Sequence, residues 1–342
     1  MAKILGKHMP STPRNWAMNG GFDVSQRVGT AQTLVTGTRA YGLDRWALVP
    51  SVASGTSAQM VQSTAFLAPD TRFSMNFGPW STNNKCAAMQ IIEASNAIKL
   101  RGKTMTLSGL FYGDVGYRLE VIAWTGTADA VTTLTNSVPY TNWGSYTLAS
   151  SFVTCGSQSF SGTASTWNRY SLTVNIPSSA TNIILALVKN EDNGIQNYAS
   201  KITFNEGTVP MVFEMHMGDI DAEIRACQRF LPVYRGQGGV VEPIPGLATA
   251  LNTSATWILP FPTQTLKKPT SVVVSANNHF NFSNSNGNNI SSAVAFVGTT
   301  ATTLNSTQLT VTIATVGGTT VPGWVYFNNA SAYIYLEGAE LG

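Results

Sequence analysis

Along most of the chain, apolar and polar residues follow one another in short stretches with a period of two. TMTLSGLFYG (104–113), YRLEVIAW (117–124), RYSLTVNIP (169–177) and NIILALVK (182–189) are the clearest. Gly, Pro, Asn and Asp separate them, as in GDVG, NIPSSAT and KNEDNG. Period two with such punctuation predicts half-buried antiparallel strands. About 200 residues of this kind, with almost no helical pattern, predict a β-sandwich or jelly roll over 15–214. A second β-rich section is expected over 253–342, with strands at 255–262, 270–276, 292–298, 308–316, 323–328 and 331–338. Between them, 233–252 is rich in Gly and Pro and reads as linker. NNHFNFSNSNGNN (277–289) reads as a polar loop, and 1–14 as an extended basic arm.

One segment breaks the pattern. MGDIDAEIRACQRFLP (217–232) places acids first and arginines after, the order that suits a helix dipole. Gly218 or Asp219 can cap its start and Pro232 ends it, which predicts a helix of about 13 residues. Ile220, Ile224, Cys227 and Leu231 fall on one face. A helix this short needs that stripe covered. The cover is the first domain, the second, or other copies of the chain, so these four residues are the candidate oligomer interface. The expected architecture is therefore all-β: a jelly-roll sandwich (15–214), a helix and linker (215–252), and a smaller sandwich-like domain (253–342).

Composition narrows the chemistry. Of 342 residues only 11% are charged, against about 25% usually. The surface must be built from Ser, Thr, Asn and Gly. The net charge of +3 comes from scattered basic residues, which argues against nucleic acid. Three cysteines without metal-type spacing point to reduced thiols rather than a disulfide framework. No run approaches the roughly 18 apolar residues of a membrane span. The opening MAKILGKHMPSTP has no apolar core, so no cleaved leader is expected.

Catalysis finds little support. The three histidines, His8, His216 and His279, sit in no triad frame, and neither GxSxG nor HExxH occurs. Asp44, Asp114, Glu120, Asp129 and Asp192 are the acids that a polysaccharide-cleaving pair would draw on. Asp44, beside Arg45, reads instead as a loop anchor, and Glu120 as a solvent-facing strand residue. No enzyme activity and no cofactor are expected.

Aromatic rings are the more plausible working groups. A flat ring offers large contact area at low rotamer entropy, and amides or hydroxyls can bond a sugar's rim. Trp80 and Trp143 lie in polar, loop-like surroundings, with Tyr140, Asn142 and Tyr146 near the latter. His279, Phe280 and Phe282 would form a distal contact tip. Trp46, Trp124 and Trp167 lie in strand-like motifs and are expected in the core.

Several motifs, in order, resemble the fibre and receptor-binding proteins of bacteriophages: NGGFDVSQRVGT (19–30), YGLDRWAL (41–48), LRGKTMTLSGLFYG (100–113), STWNRYSLTVNIP (165–177), ITFNEGTVPMVFE (202–214) and DAEIRACQRF, the last being similar to that family's CQRYY-type helix. Phe230-Leu231 replaces the usual aromatic pair. The resemblance implies a carbohydrate-binding-module-like jelly roll followed by a fibre-tip domain. It further implies a virion structural protein, often trimeric, assembled in the bacterial cytoplasm. Its partners would be other virion proteins, held through the N-terminal arm, and a host surface glycan bound without cleavage. Similar jelly rolls sometimes hold calcium, for which Asp23 and Glu206 are the candidates. A tail fibre or spike is the first expectation, a head fibre or capsid decoration protein the second, and a surface-polysaccharide depolymerase the third.

Overall fold

The computed structural model describes residues 14–26, 40–50, 58–79, 86–113, 116–130, 148, 150–163, 165–189 and 197–235. Further along it describes 242–243, 247–251, 254–262, 264–265, 269, 271–275, 279–284, 289–291, 295–302, 306–312, 321–327 and 333–337. The chain forms two compact units. One comprises Met1–Ser25, Gly29–Glu223 and Leu341–Gly342, the other Gln26–Val28 and Ile224–Glu340.

In the first unit the alternating stretches become strands of two antiparallel sheets. Among the described residues its strands are β1 (Ala40–Leu43), β2 (Trp46–Pro50), β3 (Ala58–Ser63), β4 (Ser74–Pro79), β5 (Cys86–Ile92), β6 (Thr104–Tyr112), β7 (Tyr117–Trp124), β8 (Phe152–Phe160), β9 (Trp167–Asn175), β10 (Asn182–Lys189) and β11 (Asn197–Glu206). One sheet has the order β1-β2-β5-β10-β7-β8, the other β3-β4-β11-β6-β9. This is a jelly-roll β-sandwich. Alternate residues feed a single core: Met105, Leu107 and Phe111 from β6, Leu119, Val121 and Ala123 from β7, Ile183, Leu185 and Leu187 from β10. Strand β11 changes parity at a bulge between Ser200 and Thr203, where Lys201 has φ 52°. The bulge lets Ala199 on one side and Ile202 and Phe204 on the other all point inward.

The helix spans Ile220–Gln228, shorter than the pattern predicts. Gly218, at φ 84°, turns the chain, and the Ala222 N–H donates to Asp219 Oδ1 at 2.8 Å, so Asp219 is the cap. At the other end the Phe230 and Leu231 amides both return to the Cys227 carbonyl, at 2.9 and 3.1 Å. Among the described residues no helix is long and apolar enough to cross a membrane.

The second unit carries β12 (Val233–Arg235), β13 (Glu242–Pro243), β14 (Leu247–Leu251), β15 (Ser254–Pro260), β16 (Ser271–Val274), β17 (Phe280–Asn284), β18 (Asn289–Ser291), β19 (Ala295–Thr302), β20 (Ser306–Thr312), β21 (Val321–Phe327) and β22 (Tyr333–Glu337). They form a three-stranded sheet, β12-β22-β16, and an eight-stranded one built on β18-β17-β21-β14-β15-β20-β19, with β13 beside β21. The alternation is clean in β15, where Trp257 and Leu259 are fully buried and Ile258 between them is exposed. Two expectations change here. The stretch read as linker supplies β12, β13 and β14, because distant partners, β22 and β21, and for β14 also the adjacent β15, satisfy its backbone. The stretch read as a polar loop contains β17.

Candidate functional site

Three of the six motifs meet in one buried hub of the first unit. Asn19 Nδ2 donates to the Val24 carbonyl at 2.8 Å and to the Asp44 carbonyl at 2.9 Å. The Trp46 indole N–H reaches the Met18 and Asn19 carbonyls, both at 3.2 Å, and its ring meets Phe22 edge-on at 5.7 Å. Gln90 brackets Met18, accepting its N–H at 2.8 Å and donating to its carbonyl at 2.6 Å. The Glu223 carboxylate accepts the Asn19 N–H, and also the Met217 N–H at 3.0 Å. Thus NGGF, DRW and the glutamate of the helix motif are direct hydrogen-bonding neighbours. Burial pushes the Glu223 carboxyl above its ordinary range, against the two N–H bonds that favour the carboxylate.

His216 belongs to the same hub. Its Nδ1–H donates to the Asn15 carbonyl at 2.7 Å, while Nε2 accepts from Arg14 Nη2 at 3.1 Å. Burial, with help from the Arg14 and Arg45 charges, lowers its pKa to about 4, so the ring is neutral at pH 7. These groups bond to one another and to the backbone, and so fix the turn.

A different set lies on the outer face of the five-stranded sheet, part-exposed except for Tyr198, which is buried. Asn76 of β4 is in register with Tyr198 of β11, Tyr198 with Tyr112 of β6, and Tyr112 with Trp167 of β9. These residues form one row across four strands, roughly 14 Å long at the ordinary strand spacing. Ring centroids are 6.1 Å apart for Tyr198–Tyr112 and 5.6 Å for Tyr112–Trp167. Phe66, 42% exposed, leans in from the β3–β4 connection to 4.7 Å from Tyr112 and 4.8 Å from Tyr198. Tyr112 and Trp167 are half-buried. Burial, then the neighbouring Tyr112, raises the Tyr198 pKa, so its hydroxyl keeps its proton.

Farther along the same face the polar residues satisfy one another. Thr106 meets Thr173 at 3.0 Å and Ser108 meets Thr203 at 2.7 Å. The segment after β11 closes over them: Thr106 donates to the Gly207 carbonyl at 2.7 Å, and Arg169 Nη2 to the Met211 carbonyl at 2.7 Å. The aromatic row is what this face presents to a flat ligand.

The sequence candidates fare differently. Trp80, Tyr140, Asn142, Trp143 and Tyr146 lie outside the described residues. Phe280 and Phe282 are not a contact tip. Both are fully buried, in the second unit's core with Trp257, Leu309 and Phe327, because β17 directs their parity inward. His279 beside them is half-buried. Trp46 and Trp124 are core as expected, but Trp167 is on the surface row. Cys227 and Leu231 are 1% exposed within the single chain, which leaves Ile220 and Ile224, half-buried, as the part of the stripe open to another subunit. Glu206 pairs with Lys103 at 2.6 Å, and Asp23 lies under the influence of Arg72 and Glu223, so the two calcium candidates do not converge. Among the described residues no group of three or more His, Cys, Asp or Glu forms a metal-binding cluster.

The acids considered for hydrolysis are also engaged. Glu120 is buried beside Arg118 at 3.4 Å rather than facing solvent. Asp129 accepts from the Ala94 N–H at 2.9 Å and from Asn182 Nδ2 at 2.8 Å. Asp44 is buried in the hub, in the turn between β1 and β2. Asp114 and Asp192 are outside the described residues.

The site that sequence reasoning missed was legible in strand parity. In TMTLSGLFY, Thr104, Thr106 and Ser108 share parity with Tyr112. In WNRYSLTVN, Arg169, Ser171, Thr173 and Asn175 share it with Trp167. The polar parity is the outer face, and each strand carries one aromatic on it.

With fold and site in view, comparison adds likenesses of shape. No family model matches the chain, and no curated protein matches its sequence. Among solved structures it is similar to the enzymatically active domain of tailspike protein 4 from bacteriophage CBA120, with 12% identity, 56% of this chain covered and a TM-score of 0.33. The chain spans only 21% of that tailspike's length. It is similar to TmCBM61 in complex with β-1,4-galactotriose, at 12% identity, covering 57% of this chain and 99% of that one, TM-score 0.34. It is also similar to the C-terminal family 22 carbohydrate-binding module of Clostridium thermocellum Xyn10B, at 15% identity, 49% and 89% coverage, TM-score 0.32. The class of the first unit, a jelly-roll β-sandwich, rests on its own two sheets.

Proposed function

We propose that this chain is a structural protein of a tailed-phage virion, a trimeric tail fibre or spike that adheres to host surface glycans without cleaving them. The row Asn76–Tyr198–Tyr112–Trp167 with Phe66 carries the glycan-binding reading: the part-exposed rings of Phe66, Tyr112 and Trp167, backed by the buried Tyr198 and edged by the Asn76 amide, suit the apolar face and polar rim of a sugar. The virion reading is supported by the ordered motifs, three of which converge on one hub. Single sugar sites are weak, and a trimer repeated on a particle gains about 10²–10⁴ in avidity. Residues 1–14 anchor the chain to other virion proteins, and Ile220 and Ile224 are the helix positions open to subunit contact. The hydroxyl- and amide-rich surface hydrates the copies, and the low charge spares them long-range repulsion.

A glycan array probed with the full chain and with Trp167→Ala tests the central part. Binding that the substitution removes supports the reading, and absence of binding to any bacterial surface glycan overturns it. Light scattering tests the assembly. A monomer at micromolar concentration overturns the trimer.

A further inference from the structure

We infer that Arg169 turns the aromatic row into a reader of anionic glycans, an inference that rests on the glycan-binding reading and sharpens its ligand class. Arg169 stands two residues along β9 from Trp167 on the same outer face, about 7 Å away, opposite Leu110 of β6. It is exposed. A guanidinium has five N–H donors in a planar fork. One of the two donors on Nη2 is held by the Met211 carbonyl at 2.7 Å, and Met211 is itself buried, so the fork is fixed in position. Among the described residues, no carboxylate pairs with it. Its geometry matches a planar carboxylate or a phosphate oxygen pair, and a neutral sugar's hydroxyls accept from it only singly and without charge assistance. Ring stacking on Trp167 and Tyr112 would place a sugar, and the fork would then select one whose substituent carries a negative charge.

The test is titration calorimetry of the full chain against polygalacturonate and hyaluronate, poly(glycerol phosphate), and neutral galactan and xylan. Wild type is expected to bind an anionic polymer roughly tenfold more tightly than the neutral ones, as one charge-assisted bond provides. That margin should shrink in high salt. Whether the uronates or the phosphate polymer binds better identifies the source of the charge. Arg169→Gln should bring anionic and neutral ligands to equal affinity, and Arg169→Lys should keep part of the margin. Unchanged thermal unfolding of both variants shows that the face is intact. Equal wild-type affinities, or a margin that survives Arg169→Gln, overturns the inference while leaving glycan binding standing. No binding to any of the five polymers overturns both.

Discussion

Two regions of the first unit use the same kinds of residue to opposite ends. The hub around Asn19, Trp46, His216 and Glu223 and the row of Tyr198, Tyr112 and Trp167 both combine aromatic rings with polar groups. In the hub the polar groups are turned on the chain itself: amide to carbonyl, indole to carbonyl, carboxylate to two N–H groups. In the row, rings of Phe66, Tyr112 and Trp167 stay part-exposed, and Arg169 keeps donors in reserve. The lesson is that NGGF, DRW and the helix glutamate are scaffold, whereas the motifs at 100–113 and 165–177 supply Tyr112 and Trp167 to the row. What the chain offers to another molecule is set by the face on which a strand residue falls.

Substitutions can break this contrast. The largest effect should come from Trp46→Ala, which empties the hub beside Phe22. Loss of a fully buried Trp costs about 3–5 kcal/mol, visible as a large fall in the denaturation midpoint of the first unit. A comparable loss in the row would erase the distinction between scaffold and surface.

The next effect is a matter of pH. His216 has a folded pKa of about 4, below its unfolded value of 6.5. Its contribution is therefore complete above pH 6.5 and lost as pH falls through 4, a swing of about 3 kcal/mol. Glu223, raised in the fold, works in the opposite sense, gaining stability as the pH falls. Subtracting the stability profile of His216→Asn from that of wild type isolates the histidine, and a flat difference between pH 6.5 and 4 would refute its neutral, buried state.

Trp167→Ala separates the two regions most directly. Glycan affinity should fall about tenfold or more while stability changes by about 1 kcal/mol. The reverse outcome, unfolding without loss of binding, would place Trp167 with the scaffold. Asp219→Ala, at the helix start, should cost about 1 kcal/mol and leave glycan affinity untouched. Smallest of all, Glu206→Gln should change stability by less than about 1 kcal/mol, since its pair with Lys103 is solvent-exposed.

Much of the fold was legible. YRLEVIAW became Tyr117–Trp124 and NIILALVK became Asn182–Lys189, because period two and turn residues are local signals. The helix was found but overextended, since Gly218 and the returning amides after Cys227 trim it at both ends. Val233–Arg235 was hidden by its Gly and Pro neighbours, because its strand state depends on a partner about 100 residues away, whereas Leu247–Leu251 pairs both with the next strand and with one about 70 residues on. The candidate site was read less well. Polar surroundings in sequence suggested exposure for Phe280 and Phe282, whereas the pleat of β17 sends both inward. A strand motif suggested burial for Trp167, whereas the parity it shares with Arg169 and Thr173 sends it outward.

By itself the sequence determined an all-β chain in two parts, a capped charged helix between them, and a surface of hydroxyls and amides, all consequences of local pattern and composition. Tertiary structure alone decided that Asn19 and Glu223, 204 positions apart, share a hydrogen bond, and that Tyr198, Tyr112 and Trp167 stand in one row. The physical reason is register. Which residues become neighbours across a sheet depends on how distant strands align, bulge by bulge, and no single strand carries that information.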